Sequence, residues 1–122
     1  MFRCLRSLLV ALVLSPTVLI LASPTDAHDT WISRGNHRNA AGEWCCGDGD
    51  CALMDKEAVG FTPSGYRLRG FGTISTGQSS VREGYDEVIP ATEAQPSPDG
   101  AYWRCKRPDG TRRCFFAPPQ GS

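Results

Sequence analysis

The sequence predicts a small, mainly β domain: an antiparallel fold stabilised by disulfides, with an irregular N-terminal segment and a C-terminal hairpin. Three observations carry that expectation. Five cysteines, Cys45, Cys46, Cys51, Cys105 and Cys114, fall within residues 28–122, a density that reads first as a disulfide framework. Short runs alternate apolar and polar residues between glycine- and proline-rich turns, as half-buried strands do. Finally, Pro108-Asp-Gly110 sits between two runs rich in aromatic and β-prone residues, where it suits a hairpin turn with glycine in the left-handed position.

The first 27 residues stand apart from that domain. Arg3 and Arg6 precede an apolar run from Leu8 to Ala22, and the small, polar stretch Ser23–Ala27 follows. A basic start, a short apolar middle and a small-residue cut site define a secretory signal peptide. Cleavage is expected after Ala27, with Ala22 as the alternative. The run is shorter than the roughly 20 apolar residues of a span and is broken by Pro16, so no stable membrane span is expected after cleavage. Cys4 leaves with the leader. The remainder keeps 11 of the 13 basic and 12 of the 13 acidic residues, a formal charge of about −1, which favours neither nucleic acid nor an anionic surface. It forms one domain, small enough for cross-links to matter.

The elements follow in order. Residues 28–44 are polar and read as a coil held by Trp31, Ile32 and Trp44. Cys45–Cys51 is a tight turn, Ala52–Met54 a short strand, Asp55–Ala58 one helical turn. Val59–Thr62 and Tyr66–Arg69 flank Pro63-Ser-Gly65 as a hairpin. Gly70–Ser80 is rich in Gly, Ser and Thr and reads as a mobile loop with at most a short strand at Thr73–Ser75. Tyr85–Ile89 is a strand ended by Pro90, and Ala91–Gly100 is a connection with turn residues at Pro96, Pro98, Asp99 and Gly100. Ala101–Arg107 and Thr111–Ala117 form the last hairpin, and 118–122 a disordered tail.

Five cysteines make two disulfides and leave one thiol, which stays free or joins two chains. A bond between neighbours Cys45 and Cys46 is disfavoured, because about 3.8 Å separates adjacent Cα atoms and disulfides want about 4.4–6.8 Å. A three-residue hairpin loop places Arg107 opposite Thr111 and Cys105 opposite Arg113. Cys105 and Cys114 then lie on opposite faces and reach two of Cys45, Cys46 and Cys51. A two-residue Asp109-Gly110 loop would instead set Cys105 and Cys114 directly opposite, within bonding reach.

Two constellations could carry a function. Cleavage after Ala27 makes His28 the first residue, so its amine and ring nitrogen can hold one metal ion. His37 can add a third nitrogen and Asp29 an oxygen, a donor set that suits copper(II), with zinc as the other candidate. The arrangement resembles the histidine brace of copper-binding envelope proteins. The terminal hairpin carries Arg104, Lys106, Arg107, Arg112 and Arg113 among Tyr102, Trp103, Phe115 and Phe116. This pattern fits an anionic-ligand surface, for an exported protein an anionic polymer rather than nucleic acid. The same pattern arises when strand alternation turns aromatics inward and arginines to water, with acids from Glu83–Asp99 pairing them. Asp48-Gly-Asp50 lacks the further ligands of a calcium loop and reads as a turn. There is no Gly-x-Ser-x-Gly elbow, phosphate loop or His-Glu-x-x-His, so no enzyme and no resident cofactor is expected.

At His28-Asp29, Trp44-Cys-Cys46, Asp50-Cys51, Ser97-Pro-Asp-Gly100, Trp103-Arg-Cys105 and Arg113-Cys-Phe-Phe-Ala-Pro-Pro119 the chain resembles a group of small exported bacterial proteins to which no activity is assigned. The resemblance implies export and a periplasmic or extracellular home, and carries over no functional residue. The expected role is a non-catalytic binding or structural module of the cell envelope, its partner an envelope protein or anionic polymer. The alternatives are a copper or zinc binder using His28 and His37, and a secreted inhibitor or effector of another protein.

Overall fold

The computed structural model describes residues 31–45, 50–76 and 79–119; the expected signal peptide at 1–27, His28, Cys46, Asp48 and 120–122 lie outside the described residues. Seven strands form one sheet: β1 (Cys51–Met54), β2 (Val59–Thr62), β3 (Gly65–Ser75), β4 (Ser80–Pro90), β5 (Ala94–Pro96), β6 (Trp103–Lys106) and β7 (Arg112–Ala117). Among the described residues one helical turn, α1 (Trp31–Arg34), precedes them. The mainly β expectation holds, and the irregular N-terminal segment contains this one turn of helix.

β3 is the spine. β4 pairs with it along its whole length, from Gly65↔Pro90 to Ser75↔Ser80. On its other side β2 takes the first half, from Thr62↔Gly65 to Val59↔Leu68, and β1 the second, from Met54↔Gly72 to Ala52↔Ile74. β1 passes to β6, β6 to β7 and β7 to β5, which runs parallel to it. The sheet curls on itself: β3 and β1 separate β4 from β6, yet Glu83 and Glu87 of β4 bond Lys106 and Arg104 of β6.

The expected loop therefore does not begin at Gly70; of that stretch, the short strand read at Thr73–Ser75 is the end of β3, and 77–78 lie outside the described residues. β3 runs on to Ser75 and β4 starts at Ser80. The glycines that suggest a loop are instead demanded by packing. A Cβ on Gly72 would collide with Met54 and Ala52, and one on Gly70 with Ala58. The strand keeps its alternation, with Leu68 and Ile74 buried and Arg69 and Phe71 exposed. The expected connection at Ala91–Gly100 also needs correction. It holds a 3-10 turn, Ala91–Glu93, and then β5. Three residues ending in proline are too few to show a period.

The C-terminal hairpin is covered on both faces, so β7 shows no alternation of burial from Cys114 to Ala117. Phe115 and Ala117 join Ala52, Met54, Tyr66, Leu68, Ile74 and Ile89 in the main core. Phe116 points the other way, onto Ile32 of α1 and the half-cystines Cys45, Cys105 and Cys114. The indoles of Trp31 and Trp103 both donate to Asp99 Oδ2, at 2.8 and 2.9 Å. Burial opposes the charge on Asp99, but hydrogen bonds from Ser97, the two indoles and the Ala101 amide outweigh it and hold its pKa below the ordinary value.

Cys45 bonds Cys114 and Cys51 bonds Cys105, so the two hairpin cysteines reach outward rather than to each other. The loop is the three-residue one, with the Arg107 amide bonded to Thr111 O. The register beyond it differs from expectation. Lys106 pairs with Arg112 and Cys105 with Cys114 across a β-bulge that leaves Arg113 without a strand partner. Cys105 and Cys114 thus face each other instead of lying on opposite faces, yet each bonds a cysteine outside the hairpin. The bulge separates Arg112 from the register that period-2 alternation assigns to Cys114.

Candidate functional site

Residues 38–45 form an arm laid against β5 and β7. Asn39 organises it. Its Oδ1 accepts from the Ala41 and Glu43 amides at 3.0 Å, while Nδ2 donates to Arg113 O at 3.0 Å and to Glu43 Oε1 at 3.1 Å. Gln95 Nε2 of β5 donates to Arg38 O at 3.0 Å, and the Cys45–Cys114 bond closes the far end. Between the arm, the 3-10 turn at Ala91–Glu93 and the last hairpin lies a cavity of about 620 Å³. Its lining includes Arg38, Arg107, Arg112 and Arg113, with Glu93 as the only acid among the described residues.

The four guanidiniums differ in how they are held. Arg107 forks onto Glu43, Nη2 to Oε1 at 2.6 Å and Nε to Oε2 at 2.9 Å. Arg112 sits between Glu93 (2.9 Å) and Glu87 (2.8 Å). Arg113 Nη1 donates to Trp44 O at 3.2 Å, and its nearest carboxylate, on Asp50, is 3.8 Å away. Arg38 donates one N–H to Gly42 O at 2.6 Å and lays its plane 3.7 Å from the Trp44 ring. Arg107 and Arg112 are neutralised by geometry; Arg38 and Arg113 are bound mainly through carbonyls and a ring.

Hydrogen bonds from Arg107 and Asn39 hold Glu43 at a pKa of about 2, against an ordinary 4.5. A depressed carboxyl contributes stability that is complete above the unfolded-chain value and is lost as pH falls through the folded value. The arm is therefore expected to stay closed at mildly acid pH and to loosen only as pH approaches about 2. The Trp44 indole resonance is the readout. Glu43→Gln should show the loosened signal already at neutral pH; a wild-type signal in that variant would remove Glu43 as the latch.

The five basic residues flagged from sequence divide into two groups. Arg107, Arg112 and Arg113 line the cavity. Arg104 and Lys106 lie on the curled inner side, Arg104 against Glu87 and over the Tyr85 ring at 4.5 Å, Lys106 on Glu83 at 2.7 Å. Arg104 is only 5% exposed, so it is a core residue rather than a surface cation. Burial, then the bond to Glu83, pushes the Tyr85 hydroxyl well above its ordinary pKa. His37 packs edge-on between Trp31 and Phe116, centroids 5.2 and 5.4 Å away. His28, its expected metal partner, lies outside the described residues, as does Cys46. Among the described residues no group of three or more His, Cys, Asp or Glu side chains gathers to hold a metal ion.

Arg38, Asn39, Glu43 and Gln95 carry no motif and were not legible as site residues. The one signal available was the Asn39-x-x-x-Glu43 spacing beside Trp44, within a segment otherwise read as coil. The fold and site define a small, disulfide-bonded, antiparallel-rich β domain with an arginine-lined cavity. No protein-family model matches the chain, and comparison with curated proteins and with solved structures finds no match.

Proposed function

We propose that the chain is an exported, non-catalytic binding module of the bacterial cell envelope and that the cavity under the arm is its binding site. The cavity carries this reading. Its roughly 620 Å³ falls in the range of small-molecule sites, about 300–1,000 Å³, and it is built from three separate parts of the chain. Two disulfides support an oxidising compartment, in keeping with the signal peptide read at 1–27.

The test combines location and occupancy. The protein recovered from the periplasm should have the mass of a chain starting at His28, with two disulfides and one thiol open to alkylation. Recovery of the uncut chain with reduced thiols in the cytoplasm would end the export reading. Occupancy is tested by melting the oxidised mature protein with the small-molecule fraction of an envelope extract, since a ligand of the native state raises Tm. Ala40→Trp puts an indole on the cavity wall and removes none of its charged side chains. A rise in Tm seen in the wild type and lost in that variant supports the reading; equal behaviour of the two removes the cavity from it.

One observation favours a second reading, copper or zinc at the mature N-terminus. Trp31, three residues after His28, has its ring against His37, which shortens the path the chain must cover to bring two histidines together. A copper(II) titration compares the mature protein with one carrying an extra residue before His28. Tight one-to-one binding abolished by that residue supports the metal reading; equal binding in both discards it.

A further inference from the structure

We propose that Arg38 and Arg113 form an oxyanion clamp, so that the ligand of the cavity carries a carboxylate or a phosphate group. This rests on the reading of the cavity as a binding site and names what it binds.

Three observations converge on the clamp. The first is the bulge. Neighbouring residues of a regular strand project to opposite faces, yet Arg112 and Arg113 both line one cavity. The register shift between β6 and β7 falls at Arg113, and a bulge re-aims a side chain in this way. The second is the division of labour among the four cations. Arg107 and Arg112 have their carboxylates at hydrogen-bond distance. Arg38 has a carbonyl and an indole face, and Arg113 a carbonyl and a carboxylate at 3.8 Å. Each of these two guanidiniums presents five N–H donors in a planar fork. Among the described residues, only Nη1 of each has a hydrogen-bond partner, which leaves Nε and Nη2 to take two oxygens of one ligand group. The third is pre-organisation. Arg113 has a side chain only 14% exposed, so little of its rotamer entropy remains to be lost on binding; Arg38 is exposed and lies over the Trp44 ring.

The rest of the cavity fits a small organic anion rather than a bare ion. Ala40, Ala41 and Thr92 give it small side chains, and Gln95 adds an amide. Glu93, already bonded to Arg112, also lines it. The ligand is therefore expected to be a small organic molecule whose anionic group meets Arg38 and Arg113.

The test uses oxidised mature protein titrated calorimetrically with inorganic phosphate and with succinate at low salt. One-to-one binding of either probe is expected, weakened by added salt. Arg38→Gln and Arg113→Gln should each lower the affinity at least about tenfold, while Arg67→Gln, on the outer face against Asp86, should leave it unchanged. Tighter phosphate points to a phosphoryl-bearing ligand, and tighter succinate to a carboxylate-bearing one; both support the clamp. Each Gln variant is also melted and its thiols counted, so that loss of binding is read only from folded, disulfide-bonded protein. If a variant fails this check, the matching Lys variant replaces it, keeping the charge while losing the fork. Wild-type affinity in either variant overturns the clamp, as does no saturable binding of both probes up to about 10 mM. If Ala40→Trp still abolishes the Tm shift from envelope solutes, the cavity remains a binding site and only its anion specificity falls.

Discussion

Replacing Cys45 and Cys114 together with alanine is expected to cost about 2–5 kcal/mol and to abolish binding at the cavity. The bond closes a sequence separation of 69 residues, so its loss returns much chain entropy to the unfolded state. It also joins the arm to β7, and the arm supplies Arg38, Asn39 and Ala40 to the cavity wall. Cys51–Cys105 is the natural comparison. It closes a similar separation, 54 residues, but links strands that are already paired, with Cys51↔Cys105 in register and the Lys106 amide bonded to Asp50 O. Its double alanine variant should lose a similar stability and keep the cavity. Urea unfolding and a phosphate or succinate titration of both variants separate the two roles. Equal binding in the two would mean that the arm is held in place without its disulfide.

Glu87→Leu should be nearly as damaging, at about 3–5 kcal/mol. Glu87 answers two cations, Arg104 and Arg112, whose side chains are 6% and 17% exposed. Arg104 is the more demanding partner, because its Nη1 is buried with no hydrogen-bond partner among the described residues. Removing the carboxylate strands a buried charge, and this cost exceeds the net value of the pair itself. The double variant Arg104→Met with Glu87→Leu should therefore recover most of the loss, since Arg112 keeps Glu93 at 2.9 Å. Urea midpoints at constant m-value measure this. A single Glu87→Leu within about 0.5 kcal/mol of wild type would show that the buried cation finds another partner.

The legible and illegible parts of this protein divide on physical grounds. The last hairpin could be read because Pro108-Asp-Gly110 fixes a turn and aromatic residues flank it. The outward bonding of Cys105 and Cys114 was also legible, although it holds for a different reason than expected: a bulge, not alternation, sets their register. A single inserted residue leaves no trace in a pattern of arginines and aromatics. β3 was hidden because Gly70 and Gly72 serve close packing under Ala58, Met54 and Ala52, contacts that exist only once the sheet has formed. β5 was hidden because it has three residues and pairs in parallel with a strand distant in sequence. The basic residues were legible as a cluster, but not their division between core and cavity. That division depends on the curl that brings Glu83 and Glu87 under β6, and on an arm whose Asn39 and Glu43 hold Arg107 and Arg113 from outside the hairpin. Patterns of period two reveal which face a residue takes, not what a curled sheet brings to meet it.

The most direct measurement is a map of the arginine side-chain Nε–H resonances of the oxidised protein, recorded as succinate or phosphate is added. Shifts concentrated at Arg38 and Arg113, with smaller ones at Asn39, Thr92 and Gln95, are the expected result. Shifts that fall instead on Arg67, Arg69 and Arg82 of the outer face, or that spread evenly over all arginines, would contradict the cavity under the arm as the place where this protein binds.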